Sequence, residues 1–310
     1  MDYCKFRHFP PAIVTSRCVP DNPDRPHGGR LSRVSISFVT RRPESPRVHS
    51  AFDVQRWDGR TLRAARETVI EEAPVAFVYN GMAHAVMMAT PSDLEDFALG
   101  FSLSEGIVAS AEELRSIDVV PLDQGVLLRL EVDAERALAL ESRRRSIAGR
   151  SSCGLCGAEN IDQVMRPLRP VQSALTIPHT RLHAAFEVLS NRQALNAQTG
   201  AAHAAGWAVA DGALGPVRED VGRHNALDKL IGAVVRAGMS LQHGFALITS
   251  RASFEMVQKA ATVGIPVLAA ISAPTALAIR VAQEAGVTLA AFARDGTHNV
   301  YTHPGRLGEG

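Results

Sequence analysis

Through the first 57 residues apolar positions fall without a helical or strand period among Pro, Arg, Ser and His, which predicts a loose extension. Regular patterning begins after it. Residues 75–79, Asn80-Gly81 and residues 83–89 predict a hairpin, because Asn-Gly readily takes the positive φ values of a tight primed turn. A helix follows, with Ser92 and Glu95 as a capping box, Leu94, Phe97, Ala98 and Phe101 as its apolar face, and Gly106 as its stop. Residues 126–132 alternate as a strand, and 134–145 have helical composition. From residue 180 the pattern is helix, strand, helix and then repeated alternation, with helices at 181–195, 224–237, 254–263 and 275–285. The intervening short apolar runs at 245–250, 266–272 and 287–292 read as strands. Such alternation predicts a three-layer α/β domain with a largely parallel sheet. The expected organisation is an extension (1–60), a smaller α+β domain (61–145) and an α/β domain (146–310). Ligands of such sheets bind outside the carboxyl ends of the strands, so Ser250-Arg251 and residues 294–297 are expected on a binding rim.

Composition narrows the class of protein. Apolar residues make up 46% of 310 positions and charged residues 21%, and a net charge of +1 offers no global attraction to nucleic acid or membrane. No apolar run reaches the roughly 18 residues of a spanning helix; the nearest, 263–279, is broken by Pro266 and Pro274. The first 57 residues hold no apolar core of a secretory signal. Cys4 and Cys18 lie in the extension and the other two cysteines form a single pair, too few for a disulfide framework, so a reducing cytoplasm is expected.

The pair is Cys153-Gly154-Leu155-Cys156, preceded by Arg143, Arg144, Arg145 and Arg150. Two thiols at this spacing serve as redox partners, as ligands to one metal ion or as sulfur carriers, and nearby cations stabilise the thiolate that each use requires. A metal site needs two more ligands, for which His179 and His183 are the available pair. A zinc deaminase would need a His-x-Glu segment, and the chain has none. Residues 219–230 form a second dense cluster, in which Arg223 and His224 open a helix whose free amides suit an anion. A capped helix with salt-bridged surface residues is the competing reading.

Several segments together resemble the formate dehydrogenase accessory sulfurtransferase family, FdhD. The resemblance runs through Asn80-Gly81, Met88-Ala89-Thr90-Pro91, Gly100-Phe101, Ser104-Glu105-Gly106 and Ser152-Cys153-Gly154-Leu155-Cys156-Gly157. It continues through Thr199-Gly200, His203-Ala204-Ala205, residues 219–229, Ser250-Arg251, Glu255-Met256, Lys259-Ala260-Ala261, Gly264-Ile265-Pro266 and Val300-Tyr301. It covers residues 67–307, with Ala201-Ala202 where the family segment is richer in glycine. The resemblance implies a cytidine deaminase-like three-layer domain beside the smaller α+β domain, and a homodimer. It implies a sulfurtransferase that accepts sulfane sulfur from a cysteine desulfurase as a persulfide on Cys153. That sulfur would pass to the molybdenum bis(molybdopterin guanine dinucleotide) cofactor, a bound client, before formate dehydrogenase receives it. The guanine nucleotide moiety is expected at Phe292, Ala293, Arg294, Asp295, Gly296 and Thr297, with Arg223 and His224 as secondary contacts. Cys156 would assist, protect or release sulfide. No resident metal, nucleic acid or membrane is expected. The alternatives are a non-catalytic cofactor-binding chaperone for formate dehydrogenase and a zinc-binding structural module.

Overall fold

A computed structural model describes residues 46–145 and 167–309. Order starts inside the segment expected to be loose: β1 (His49–Trp57) pairs antiparallel with β2 (Leu62–Ile70) over its full length. The turn between them is built by Asp58, whose carboxylate accepts from the amides of Arg60 and Thr61, both at 2.9 Å. No position of β1 is fully buried, so the strand has no apolar face to read as a period.

Next come β3 (Ala73–Tyr79) and β4 (Met82–Ala89), the expected hairpin, with φ of 47° at Asn80 and 79° at Gly81. With β5 (Leu114–Leu122) and β6 (Gly125–Val132) they form a sheet of order β4-β3-β6-β5, in which β3 and β6 are parallel. Asn80 does more than turn: its side chain bonds both the amide and the carbonyl of Val132 at 2.8 and 3.0 Å, pinning the hairpin to β6. The helix α1 (Leu94–Ser104) lays Phe97 and Phe101 on Phe77, with ring centroids 5.1 and 4.4 Å apart. Such contacts contribute about 0.5–1.5 kcal/mol each beyond burial.

The capping box is not formed. Asp93 is the N-cap, at φ 50° and ψ 40°, without a side-chain cap bond. Its carboxylate lies 3.3 Å from Arg218, and Glu95 lies 3.3 Å from Arg236, so both acidic side chains are turned toward partners on distant elements. Gly106, at φ 62°, follows the helix end as expected. The α2 helix (Ala134–Arg145) leads to the end of this described stretch.

Beyond residue 166 lie β7 (Ile177–Pro178), α3 (His179–Asn191), α4 (Ala194–Thr199), β8 (His203–Val209), β9 (Leu214–Asp220) and α5 (Arg223–Arg236). The chain continues through β10 (Gly244–Ile248), α6 (Phe254–Thr262), β11 (Val267–Ala270), α7 (Ala276–Glu284), β12 (Thr288–Arg294), β13 (Thr297–Val300) and β14 (Leu307–Gly308). The large sheet has the order β13-β12-β11-β10-β8-β9. It is mixed rather than largely parallel: only the β10–β11 and β11–β12 pairs, joined through α6 and α7, are parallel. The hairpins β8–β9 and β12–β13 reverse direction at both edges, and short turns permit only antiparallel pairing.

Three layers follow from strand alternation. Trp207, Ala246, Ile248, Leu268 and Leu289 face one core with Leu227, Leu230, Ile231, Met256, Val257 and Val281, while Phe245, Leu247, Val267, Ala269 and Ala290 face another with Leu182, Phe186 and Leu189. The first core also contains Val75, Phe77, Tyr79, Phe97 and Leu128, so it continues from the small sheet through α1 into the large one. Two glycines make this junction possible. A Cβ on Gly100 would lie 1.7 Å from the carbonyl oxygen of Asp228, and one on Gly232 would lie 1.9 Å from that of Asp96, so α1 and α5 touch backbone to backbone. Among the described residues no helix is long and apolar enough to cross a membrane.

Candidate functional site

Because β10, β11 and β12 are parallel, their carboxyl ends share one edge. The start of β8 and the end of β9 reach the same edge: Thr249 N bonds Ala204 O at 3.0 Å, and His203 is paired with Asp220. The first turns of α5, α6 and α7 follow directly from this rim, so free helix amides collect there. Only α7 has its N-cap side chain in use, with Thr275 Oγ1 accepting from Ala278 N at 3.1 Å. Among the described residues, the buried hydroxyl of Ser253, at the N-cap of α6, and the buried Nε of Arg223, on α5, have no hydrogen-bond partner. Buried polar atoms are seldom left this way unless a ligand or water completes them.

His224 Nε2 lies 2.9 Å from Glu255 Oε2, close enough for an ion pair but not aligned as a hydrogen bond. The adjacent His224 holds the Glu255 carboxyl below the usual range against the opposing effect of burial. Nearby His203 is pushed down by burial and then by its neighbours Arg223 and His224. Ser250 and Arg251 sit on the same edge, the serine buried and the arginine exposed.

Further along the rim, β12 ends in a bulge. Phe292 takes φ 55°, is 37% exposed and bonds Ser272 O at 3.3 Å through its amide, while Ala293 turns into the second core. Asp295 and Gly296, at φ 53° and 72°, then form a two-residue turn closed by the Arg294–Thr297 pair, with Thr297 Oγ1 donating to Arg294 O at 3.1 Å. Arg294, Asp295, Gly296 and Thr297 are all exposed. This segment is therefore both a hairpin turn and part of the rim. Among the described residues no hydrogen bond or ion pair joins it to Arg223 or His224, so the two sets of expected contacts share an edge without a polar link.

Below the rim the dense charged cluster is resolved into two buried ion pairs. Lys229 Nζ lies 2.6 Å from Asp220 Oδ2, both side chains fully buried, and donates to Thr90 O at 2.9 Å. Asp220 also accepts from Thr90 N, Gly222 N and Asn225 Nδ2, at 3.0, 2.7 and 2.9 Å, which ties β9 and α5 to the end of β4. Burial pushes Lys229 down against the pull of Asp220. In the second pair Lys259 Nζ lies 2.9 Å from Asp228 Oδ2 and 2.8 Å from Glu105, and Ser104 donates to Asp228 at 2.6 Å. Burial opposes the charge on Lys259, but the two carboxylates outweigh it and hold the ammonium up. These residues position the rim and do not line it.

A third cluster was not foreseen. His179 and His183 meet His298 of β13, with His179 Nδ1 3.0 Å from His298 Nε2 and His183 Nε2 2.9 Å from His298 Nδ1. No local pattern links residues 115 positions apart; the only hint was the one-turn spacing of the first two. Both nitrogens of His298 are engaged by different rings, and among the described residues no group of three or more His, Cys, Asp or Glu is arranged to hold a metal ion. Cys153 and Cys156 lie outside the described residues.

Comparison with known proteins identifies the lineage. Residues 70–308 match the model of the FdhD/NarQ family. The chain is 54% identical over 262 residues to the sulfur carrier protein FdhD of Cupriavidus necator, covering 84% of this chain and 91% of that protein. It is 58% identical over 254 residues to the protein of the same name from Xanthomonas axonopodis pv. citri, covering 82% and 90%. A crystal structure assigned as a formate dehydrogenase accessory protein from Desulfotalea psychrophila superposes with a TM-score of 0.66, at 24% identity, over 84% of this chain and all of the other. That likeness speaks for the shared mixed α/β fold. A family match spanning both sheets and the whole rim, with relatives above half identity along most of their length, makes this chain a member of the FdhD/NarQ family.

Proposed function

We propose that the protein is a sulfur carrier that supports formate dehydrogenase by taking up sulfane sulfur on Cys153 and delivering it to a guanine dinucleotide form of the molybdenum cofactor held at the sheet rim. The observation that carries this reading is the extent of family membership, residues 70–308, which includes both thiols and every rim segment. Relatives named sulfur carrier proteins support the role.

The uptake step is a thiol–persulfide exchange. The Cys153 thiolate attacks the outer sulfur of a cysteine desulfurase persulfide, the S–S bond of the donor breaks, and the donor cysteine leaves as a thiolate. No net oxidation occurs. Release follows when the Cys156 thiolate attacks the inner sulfur of the Cys153 persulfide: hydrosulfide departs and a Cys153–Cys156 disulfide remains. The two electrons that reduce the sulfane sulfur to hydrosulfide come from the two cysteines together, which end as the disulfide, and a cellular dithiol reductant restores the pair.

The acceptor is substrate here, not a resident group. Its phosphates and guanine require cations, free amides and an acceptor for the base edge, and the rim offers Arg294, the helix amides, Asp295, and the atoms Arg223 Nε and Ser253 Oγ that have no partner among the described residues. Cytoplasmic residence and a homodimer belong to the same reading. Intact-protein mass spectrometry tests it: incubation with a desulfurase and cysteine adds one sulfur mass to the wild type and none to Cys153→Ser. A Cys153→Ser protein that still accepts and delivers sulfur overturns the assignment.

A further inference from the structure

The three histidines adjoin the Asp295–Gly296 turn at a cleft of about 400 Å³ lined by His179, Thr180, His183, Gly296, His298 and Val300, with Thr297 between. Their hydrogen bonds constrain how many protons they hold. In the neutral chain each of the two N–H···N contacts uses one proton, so one outer ring has a free N–H and the other a bare nitrogen. One added proton fills that bare nitrogen without breaking either contact. The chain then has a single positive charge, shared along three rings, and an outward N–H at each end. A second proton would set two N–H groups against each other and break a contact.

We propose that this histidine chain is a one-proton anion site that holds phosphate groups of the guanine nucleotide. The assignment rests on the reading of residues 292–297 as the nucleotide-binding turn. Burial pushes His183 and His298 down, reinforced by their histidine neighbours, which favours their uncharged forms while the site is empty. A bound phosphate favours the charged form, raises the chain's pKa and draws in a proton. The surrounding charges leave the site to the ligand. Glu187 on α3 favours the charged His183, and Arg294 and Asp295 stand in the adjoining turn. From β9, which also packs on α3, Arg218 is committed to Asp96, Glu219 to the amides of Leu195 and Asn196, and Asp220 to Lys229. β7 and β14 contribute only Ile177, Pro178, Leu307 and Gly308.

Calorimetric titration of the full chain with GDP, and separately with inorganic pyrophosphate, in buffers of different ionisation enthalpy at pH 7.5 reads proton uptake directly. GDP is expected to bind the wild type with uptake approaching one proton, and to weaken about tenfold per pH unit between pH 7 and 8. His298→Gln keeps a hydrogen-bonding side chain but removes the relay, so uptake should vanish and the pH slope flatten. The β-phosphate titrates equally against both proteins, so their difference isolates the histidines. His183→Gln, with imidazole proton resonances followed against pH, provides the same comparison if His298→Gln does not fold. GDP binding that needs Arg294 yet shows the same proton uptake in the histidine variants overturns the proposal and leaves the nucleotide reading standing. Pyrophosphate binding with proton uptake but no GDP binding overturns the nucleotide assignment, and binding of neither overturns both.

Discussion

Beneath the rim, Lys229, Asp220, Asp228 and Lys259 are enclosed in protein and each has an opposite charge within 3 Å; at the rim, on half-buried residues, the enclosed atoms Arg223 Nε and Ser253 Oγ have no hydrogen-bond partner among the described residues. Both regions contain residues that stand out in the sequence as candidates for chemistry, and their environments separate them. A buried charge with a full set of partners has its bonding capacity used up, and what it does is hold β4, β9, α1 and α5 in one arrangement. A buried donor with nothing to bond is tolerated only where something else supplies the partner. Density of polar residues in a motif therefore marks the junction as strongly as the site.

The comparison breaks first at the junction. Asp220→Ala would leave Lys229 uncompensated, and truncating one member of a buried pair costs about 3–5 kcal/mol. Denaturant unfolding should show that loss, and Asp220→Ala combined with Lys229→Met should recover much of it; a single variant as stable as wild type would contradict the structural role. Gly100→Ala forces a methyl into the Asp228 carbonyl, and an overpacked contact of this kind costs about 1–3 kcal/mol, visible in the same unfolding curve. The rim should behave oppositely. Arg294→Ala is expected to stay within about 0.5 kcal/mol of wild-type stability, as exposed positions do, while GDP affinity falls tenfold or more in the calorimetric titration.

The smallest effect is on the pH dependence of stability. His183, His203 and His298 have folded pKa values below the ordinary one, so on acidification the unfolded chain takes up protons first. Their contribution is present above about pH 6.5 and is lost as pH falls toward the folded values. Partial solvent exposure limits it to a Tm decrease of no more than about 4 °C between pH 7 and 5.5, on the scale of 2–4 °C per kcal/mol for a domain of this size. His298→Gln should reduce that decrease, and an unchanged profile would remove His298 from the account.

Local chemistry predicted what depends on a few adjacent residues. Asn80-Gly81 turns a hairpin because both positions accept positive φ, and the strand–helix alternation after residue 240 becomes β10-α6-β11-α7-β12. In place of the capping box Asp93 takes the N-cap in the left-handed region, and Asp93, Asp96 and Glu95 face Arg218 and Arg236, more than 120 positions away, contacts that no local pattern shows. The sheet's mixed sense is not readable from the alternation for a related reason: β8 lies antiparallel to both β9 and β10, and β12 antiparallel to β13, pairings fixed by how the segments meet and not by their apolar runs.

Taken alone, the order of residues determined the family, the alternating elements of the second half and the turns at which the chain reverses, because periodicity and glycine placement are properties of neighbouring positions. Which charges are buried, which polar atoms lack a partner and which histidines meet were decided only in three dimensions. Those properties depend on distances between separate elements, some of them more than a hundred residues apart, and desolvation acts on whatever the packing encloses.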